Sequence, residues 1–170
     1  MTTTVVRRLA PHEWRTYRDV RLRALADSPD AFSRTLPEDR ARPDTEWSAR
    51  LAGAAGFDLP LIAEADGEPV GLAWGRIDAS APDVAHLYQM WVAPSHRRLG
   101  AGRLLLDAVI RWAKAANVRS LALGVTCGDT PAMRLYVRAG FKPAGAPEPL
   151  RPGSTLLAQP MRLDLETRDV

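Results

Sequence analysis

Val92-Ala93-Pro94-Ser95-His96-Arg97-Arg98-Leu99-Gly100-Ala101-Gly102-Arg103-Leu104-Leu105 passes from the end of a β-strand through a proline bend into a basic, glycine-containing loop, and then into a helix that starts at the second glycine. Such a loop turns several backbone N–H groups toward one point. The unpaired donors and the positive end of the helix dipole favour an anion there. Pyrophosphate suits the site, because a Cβ at 100 or 102 would hold phosphates off the main chain and restrict φ. Valine in place of Gly100 or Gly102 is therefore expected to abolish binding while leaving the chain folded. The plainer alternative is a strand-to-helix turn with solvated arginines. Two phosphate loops are excluded by inspection: a dinucleotide fingerprint needs a third glycine where Leu105 stands, and a P-loop needs Gly-Lys-Ser/Thr.

The flanking chain supplies a sheet and its helices. Upstream, Leu59 to Ala65, Pro69 to Ile77 and Val84 to Val92 read as three antiparallel strands, with Asp66-Gly67 as a hairpin signal. Strict alternation along the third puts His86, Tyr88, Met90 and Val92 on one face and Leu87, Gln89 and Trp91 on the other. Downstream, Leu104, Leu105, Ala108, Val109, Trp112 and Ala116 form an apolar helical stripe that ends near Asn117. Leu121 to Val125 is then a buried strand, parallel to the one before the helix. Another helix starts at Pro131, with Asp129 or Thr130 as cap and Gly140 as stop. Strands over 141–144 and 156–165 and a polar, frayed tail over 166–170 complete this end. At the other end Thr3 to Leu9 is a first strand, and Trp14, Tyr17, Arg21, Ala24 and Leu25 mark an amphipathic helix with its aromatic residues in the core. Residues 28–45 are punctuated like a loop that borders a substrate, after which Asp44 or Thr45 caps a short helix carrying Trp47 and Leu51.

One domain over residues 1–170 accounts for the composition: with 46% hydrophobic and 25% charged residues, the chain can bury a full core. No apolar run approaches the roughly 18 residues of a membrane span and the first residues lack a signal core, so a cytoplasmic protein without membrane contact is expected. The net charge of +3 is spread along the chain, which argues against a nucleic-acid partner. The single cysteine, Cys127, and the scattered His12, His86 and His96 imply no metal. Cys127 reads as a small core residue.

Arg97-x-x-Gly100-x-Gly102 after the Val-x-Pro bend resembles the coenzyme A loop of the GNAT superfamily of acyl-CoA N-acyltransferases. Ala132-x-x-Leu135-Tyr136-x-x-x-Gly140-Phe141 is similar to a second GNAT motif, which follows the coenzyme A helix after a short strand. The two stand in the family's order and cover about 84–145, the coenzyme A-binding core, while the first 60 residues match only in architecture. The resemblance implies an α/β (α+β) fold: a mixed, mostly antiparallel sheet of about seven strands flanked by about four helices, splayed between its two central parallel strands. It also implies acetyl-CoA as co-substrate and no metal. The backbone amides of Arg98, Leu99, Gly100, Ala101, Gly102 and Arg103 would hold the pyrophosphate, with charge from Arg97 and Arg98 nearby. The main chain of Met90, Trp91 and Val92 would pair with the pantetheine arm like an added strand. Asp129 stands where the family has Asn, and a carboxylate cannot donate to pantetheine, so Asp129 is read as a helix cap.

Acyl transfer from a thioester to an amine ends with expulsion of a thiolate, which a phenol can protonate; the resemblance gives Tyr136 this general-acid role. The alternative is a tyrosine that packs its helix onto the sheet. The amine must arrive unprotonated, and the strand before the loop offers His86 but no carboxylate, which makes His86 the candidate base and Glu64 an outside one. A lone strand histidine is as readily structural.

The expected activity is transfer of an acetyl group to the primary amine of a small molecule by direct attack in a ternary complex. A peptide N-terminus or lysine as acceptor is the alternative within that chemistry; an acidic or peptide acceptor would engage arginines such as Arg34, Arg40 and Arg151, which read equally as solvated surface. A non-catalytic acyl-CoA-binding module is the alternative outside it. The protein is expected to be a monomer or a homodimer, with pairing through the strand at 156–165.

Overall fold

In the computed structural model, which describes residues 2–54 and 56–166, the sheet is built outward from the Asp66-Gly67 turn. Both residues have positive φ, +50° and +82°, as a two-residue hairpin with right-handed strand twist requires. The turn joins β2 (Asp58–Ala65) to β3 (Glu68–Ile77). β1 (Thr4–Arg8) pairs with β2, and β4 (Val84–Val92) with β3, all antiparallel. β5 (Ser120–Thr126) then runs parallel to β4, and β8 (Leu157–Asp164) antiparallel to β5. Two short strands, β6 (Lys142–Pro143) and β7 (Glu148–Pro149), pair with β8 and bring the sheet to eight strands among the described residues. The last four residues of the polar tail expected over 166–170 lie outside the described residues.

The parallel pair is short. Val84, Ala85 and His86 pair with Ser120, Leu121 and Ala122 in that order, and beyond that point the strands part. The edge of β4 that faces β5 therefore carries no strand partner from Leu87 to Val92.

Helix α1 (Trp14–Asp27) and α3 (Asp44–Ala52) cover one face of β3 and β4: Tyr17 packs edge-on to Trp47 and against Trp74, ring centroids 5.5 and 5.3 Å away. α4 (Ala101–Ala115) covers the other face. There β3 needs glycine, since a Cβ on Gly75 would stand 2.8 Å from the Trp112 ring and one on Gly71 3.2 Å from Leu105. The buried side of α4 is Leu105, Leu106, Val109 and Ala113, so the stripe is turned from its expected position. Leu104 is 43% exposed and Ala116 is exposed as well. Apolar residues at 104, 105 and 106 allow either phase, and packing selects the one that fills the space above the β3 glycines.

Three further features depart from expectation. Residues 28–45 contain a helix, α2 (Leu36–Arg40), whose N-cap Thr35 accepts a hydrogen bond from the Glu38 amide. A bulge in β4 breaks the strict alternation: Gln89 has φ +58°, and the register jumps from Trp74↔Tyr88 to Leu72↔Trp91. Trp91 thus lies on the α1 side together with His86 and Tyr88, while Val92 approaches Gly102 on the α4 side. The hydroxyl of buried Tyr17 donates to Gln89 Oε1 at 2.8 Å and holds the bulge against α1. α3 begins at Asp44 with Pro43 as its N-cap residue, so neither Asp44 nor Thr45 caps it, and Asp44 instead pairs with Arg18.

Candidate active site

The loop after β4 makes one turn of 3-10 helix (Pro94–His96) and enters α4 through Gly100, whose φ is +90°. The helix thus begins one residue before the second glycine. Arg98 is also left-handed, at φ +65°. Among the described residues, none of the backbone N–H groups from Arg98 to Arg103 donates to a protein acceptor; the first intrahelical bond runs from Leu104 N–H to Gly100 O at 3.0 Å. These six unpaired donors stand at the positive end of a fifteen-residue helix, beside the unpaired edge of β4. That is a fit for a pyrophosphate with an extended arm. The two glycines serve it differently: a Cβ on Gly100 would meet nothing within 4 Å, whereas one on Gly102 would point at Leu135 and Val92, 3.4 and 3.7 Å away.

Arg97 turns away from the amides. Its Nη2 reaches Asp27 Oδ2 at 2.5 Å and its Nε donates to Val92 O at 2.9 Å. The same Asp27 oxygen accepts from Trp91 Nε1 at 3.0 Å and Ser28 Oγ at 2.7 Å. Burial pushes the Asp27 carboxyl up, but the hydrogen bonds from Trp91, Ser28 and Arg97 outweigh it and hold it below the usual carboxylate range. The Trp91 side chain and the Val92 carbonyl are thereby occupied, Arg98 is an exposed cation at the loop, as Arg97 is, and Leu99 is exposed. Asp27, seventy residues from Arg97, carries no motif that would have singled it out.

Helix α5 (Pro131–Ala139) is capped by Thr130, which accepts from the Met133 amide at 3.1 Å, and stopped by Gly140 at φ +101°. Asp129 is not the cap; it is exposed and pairs with Arg134 at 2.8 Å. Tyr136 lies inside, 5% exposed, with Phe141 edge-on at 5.6 Å. Its hydroxyl makes no hydrogen bond to the described residues, yet it is not sealed from solvent. Burial pushes the phenol well above its ordinary pKa, so it stays protonated at neutral pH.

His86 is half-buried, stacked on Tyr88 with the rings 12° from parallel and 5.8 Å apart. Burial first, and then the charge of Arg162, lower its pKa, so the ring is neutral near pH 7. It sits on the last β4 residue paired with β5, and the half-exposed Tyr88 stands where the strands part. Glu64 is bound by Arg7 in an ion pair at the far side of the sheet. Cys127 is exposed rather than in the core, because it follows the last residue of β5.

The segments around this face are tied down by arginines. Arg151 donates to the carbonyls of Pro29 and Phe32 at 2.8 and 2.7 Å, and Thr126 Oγ1 donates to Asp30 O at 2.6 Å. Arg34 and Arg42 donate to fully buried Asp39 at 2.6 and 2.9 Å, and buried Arg21 reaches the same carboxylate at 3.3 Å. Arg34 and Arg151, expected to meet an acceptor, are committed to the protein. Among the described residues no group of three or more His, Cys, Asp or Glu could hold a metal, and no helix is long and apolar enough to cross a membrane.

The architecture recurs in solved structures. An acetyltransferase of the GNAT family from Streptococcus pneumoniae superposes with a TM-score of 0.81 at 20% identity, covering 96% of this chain and 100% of that one. The yncA protein of Salmonella typhimurium, solved with its cofactor acetyl-CoA, gives 0.79 at 19% identity, with 99% and 97% covered. In sequence, the mycothiol acetyltransferase of Cellulomonas flavigena is 32% identical over 133 residues, which span 74% of this chain and 36% of that protein. The chain thus spans little more than a third of the length of the curated relatives it first matches. The family model described as Acetyltransferase (GNAT) family matches residues 14–141, and with the splayed sheet and donor loop inside that span, the chain belongs to the GNAT acetyltransferase family.

Proposed function

We propose that the chain is an acetyl-CoA-dependent N-acetyltransferase that acetylates the primary amine of a small molecule by direct attack in a ternary complex. The observation that carries this reading is the set of six unpaired amides from Arg98 to Arg103, set beside the unpaired edge of β4 where β4 and β5 part. When bound, acetyl-CoA supplies an activated thioester. The residues of the chain do the rest: the amides hold the diphosphate, and the edge of β4 between Leu87 and Trp91 pairs with the arm. Neutral His86, directly or through water, accepts the proton of the incoming amine, and Tyr136, kept protonated by burial, donates to the departing sulfur. Asp27 and Arg97 position the loop. A small-molecule acceptor is favoured by the name of the mycothiol acetyltransferase relative, and the absence of a membrane-spanning helix among the described residues suits a cytoplasmic enzyme.

Assay of free thiol release from acetyl-CoA against a panel of primary amines tests the reading. Release that depends on an amine and matches N-acetylated product by mass supports it. Tight coenzyme A binding with no release for any amine would make the chain a binding module instead.

A further inference from the structure

Cross-strand partners share a face of a sheet, and the register therefore aligns Asp58 on β2, whose Oδ1 accepts from Trp74 Nε1, Arg76 on β3, His86 on β4, Ala122 on β5, Arg162 on β8 and Lys142 on β6 in one row. The row lies on the face that α1 and α3 cover only as far as β4, because Trp74, two residues from Arg76, packs on Tyr17. Beyond β4 this face is open. Arg76, Arg162 and Lys142 are exposed; between Arg76 and Arg162 lie His86 and Ala122, and beside Ala122 on the same face of β5 an added Cβ on Gly124 would meet nothing within 4 Å. Elsewhere on the surface, Arg18, Arg42, Arg103 and Arg134 each face a carboxylate at 2.8–3.1 Å. None of the three cations in the row has an ion pair or hydrogen bond among the described residues.

The charges of two of these cations reach one pair of rings. The charge of Arg162 acts on His86, and that of Arg76 on Tyr88, which stacks against His86. Asp78 is the carboxylate whose charge acts on this pair, and it also faces Arg76; its Oδ1 accepts from the Ser80 amide and hydroxyl. The row lies two residues, or about 7 Å along the strand, below Tyr88 and the parting of β4 from β5. A molecule with an amine at the parting would reach the row with a group a few bonds away.

We propose that this open trough is the subsite for an anionic group on the acceptor, a carboxylate or a phosphate, held between Arg76 and Arg162 over Ala122 and Gly124. The proposal rests on the transferase reading and narrows its substrate to amino acids, amino-phosphates or compounds like them. Arg76 and Arg162 then determine specificity, and they act on the affinity for the acceptor and not on the donor.

The test uses β-alanine, 4-aminobutanoate and 6-aminohexanoate, the amides of each, and O-phosphoethanolamine as acceptors. The expected result is a kcat/KM at least tenfold higher for one acid than for its amide. In R162A and R76A, assayed at about pH 8 where the His86 ring is neutral in every variant, the KM for that acid rises at least tenfold, with KM for acetyl-CoA unchanged and the amide unaffected. Whether a carboxylate or the phosphate is preferred identifies the anion. Equal kcat/KM for acids and amides, or an equal loss for both in the variants, overturns the proposal. Turnover of none of these amines counts against the transferase reading, and the subsite is then judged by binding: the His86 imidazole resonances should shift saturably with the acids and not with the amides, and the shift should vanish in R162A. No saturable shift with any acid overturns the subsite regardless of turnover.

Discussion

Removal of the Asp39 carboxylate is expected to destabilise the fold far more than an exposed charge would. Asp39 is fully buried and binds three arginines, but their dependence on it differs. Arg34 and Arg42 keep Glu38 and Glu46 as second partners, at 3.7 and 3.1 Å. Arg21 is 4% exposed, packs on the Phe32 ring at 4.7 Å, and already has a buried Nη1 without a partner. In D39A its charge is left in the interior with no carboxylate, a change that costs about 3–5 kcal/mol. With a urea m-value of about 2 kcal/mol/M, the midpoint should fall by about 1.5–2.5 M at unchanged slope. Burial pushes the Asp39 carboxyl up, but hydrogen bonds from Arg34 and Arg42 and the charges of Arg21 and Arg42 hold it below the usual range. A lowered carboxyl pKa contributes stability above the ordinary value near 4, and that contribution is lost as pH falls through the lowered one. The wild type should therefore lose stability in acid over a window that D39A lacks. The double variant with Arg21→Met and Asp39→Leu should recover much of the loss, since no buried charge remains. A midpoint shift below about 0.5 M in D39A, or a double variant no better than the single, would refute the reasoning.

Gly100→Val should weaken acetyl-CoA binding by stiffening a φ of +90° that valine resists by about 1–2 kcal/mol, while Gly102→Val should lower thermal stability as well, because its side chain enters the contact with Leu135 and Val92; calorimetric binding and melting separate the two. Tyr136→Phe should reduce kcat by about 10²-fold or more with KM for acetyl-CoA little changed. Wild-type kcat across the pH range would withdraw the acid role. Asp27→Asn should raise KM for acetyl-CoA severalfold with kcat within about twofold, because Arg97 loses its ionic partner while the amides remain. With His86 as base, kcat/KM should fall in acid as pH drops through a ring pKa that burial and Arg162 hold below its ordinary value, and R162A should move that limb upward by removing a charge that disfavours the protonated ring.

Much of this was legible in the sequence wherever one local signal decided the outcome. Asp66-Gly67 fixed a turn, Thr130-Pro131 and Gly140 bounded α5, and β4 runs over the residues that its β-branched and aromatic character marks. Illegible features depended on distant partners. The bulge at Gln89 is held by Tyr17, seventy-two residues away, and it moves Trp91 to the opposite face from the one alternation gives. α2 is a five-residue helix ordered around buried Asp39, and nothing local distinguishes that aspartate from a solvated one. The donor loop shows both cases. Its glycines and unpaired amides follow from the stretch itself, whereas Arg97, which local charge assigns to the phosphates, is taken by a carboxylate on α1.

The most direct test of the central claim is a paired measurement on one sample: calorimetric titration of the chain with acetyl-CoA, followed by addition of amines with thiol release and acetylated product quantified together. The account predicts one acetyl-CoA bound per chain, affinity reduced in Gly100→Val, and one thiol released for each amine acetylated. No binding of acetyl-CoA to the wild-type chain, or affinity unchanged in Gly100→Val, would contradict it.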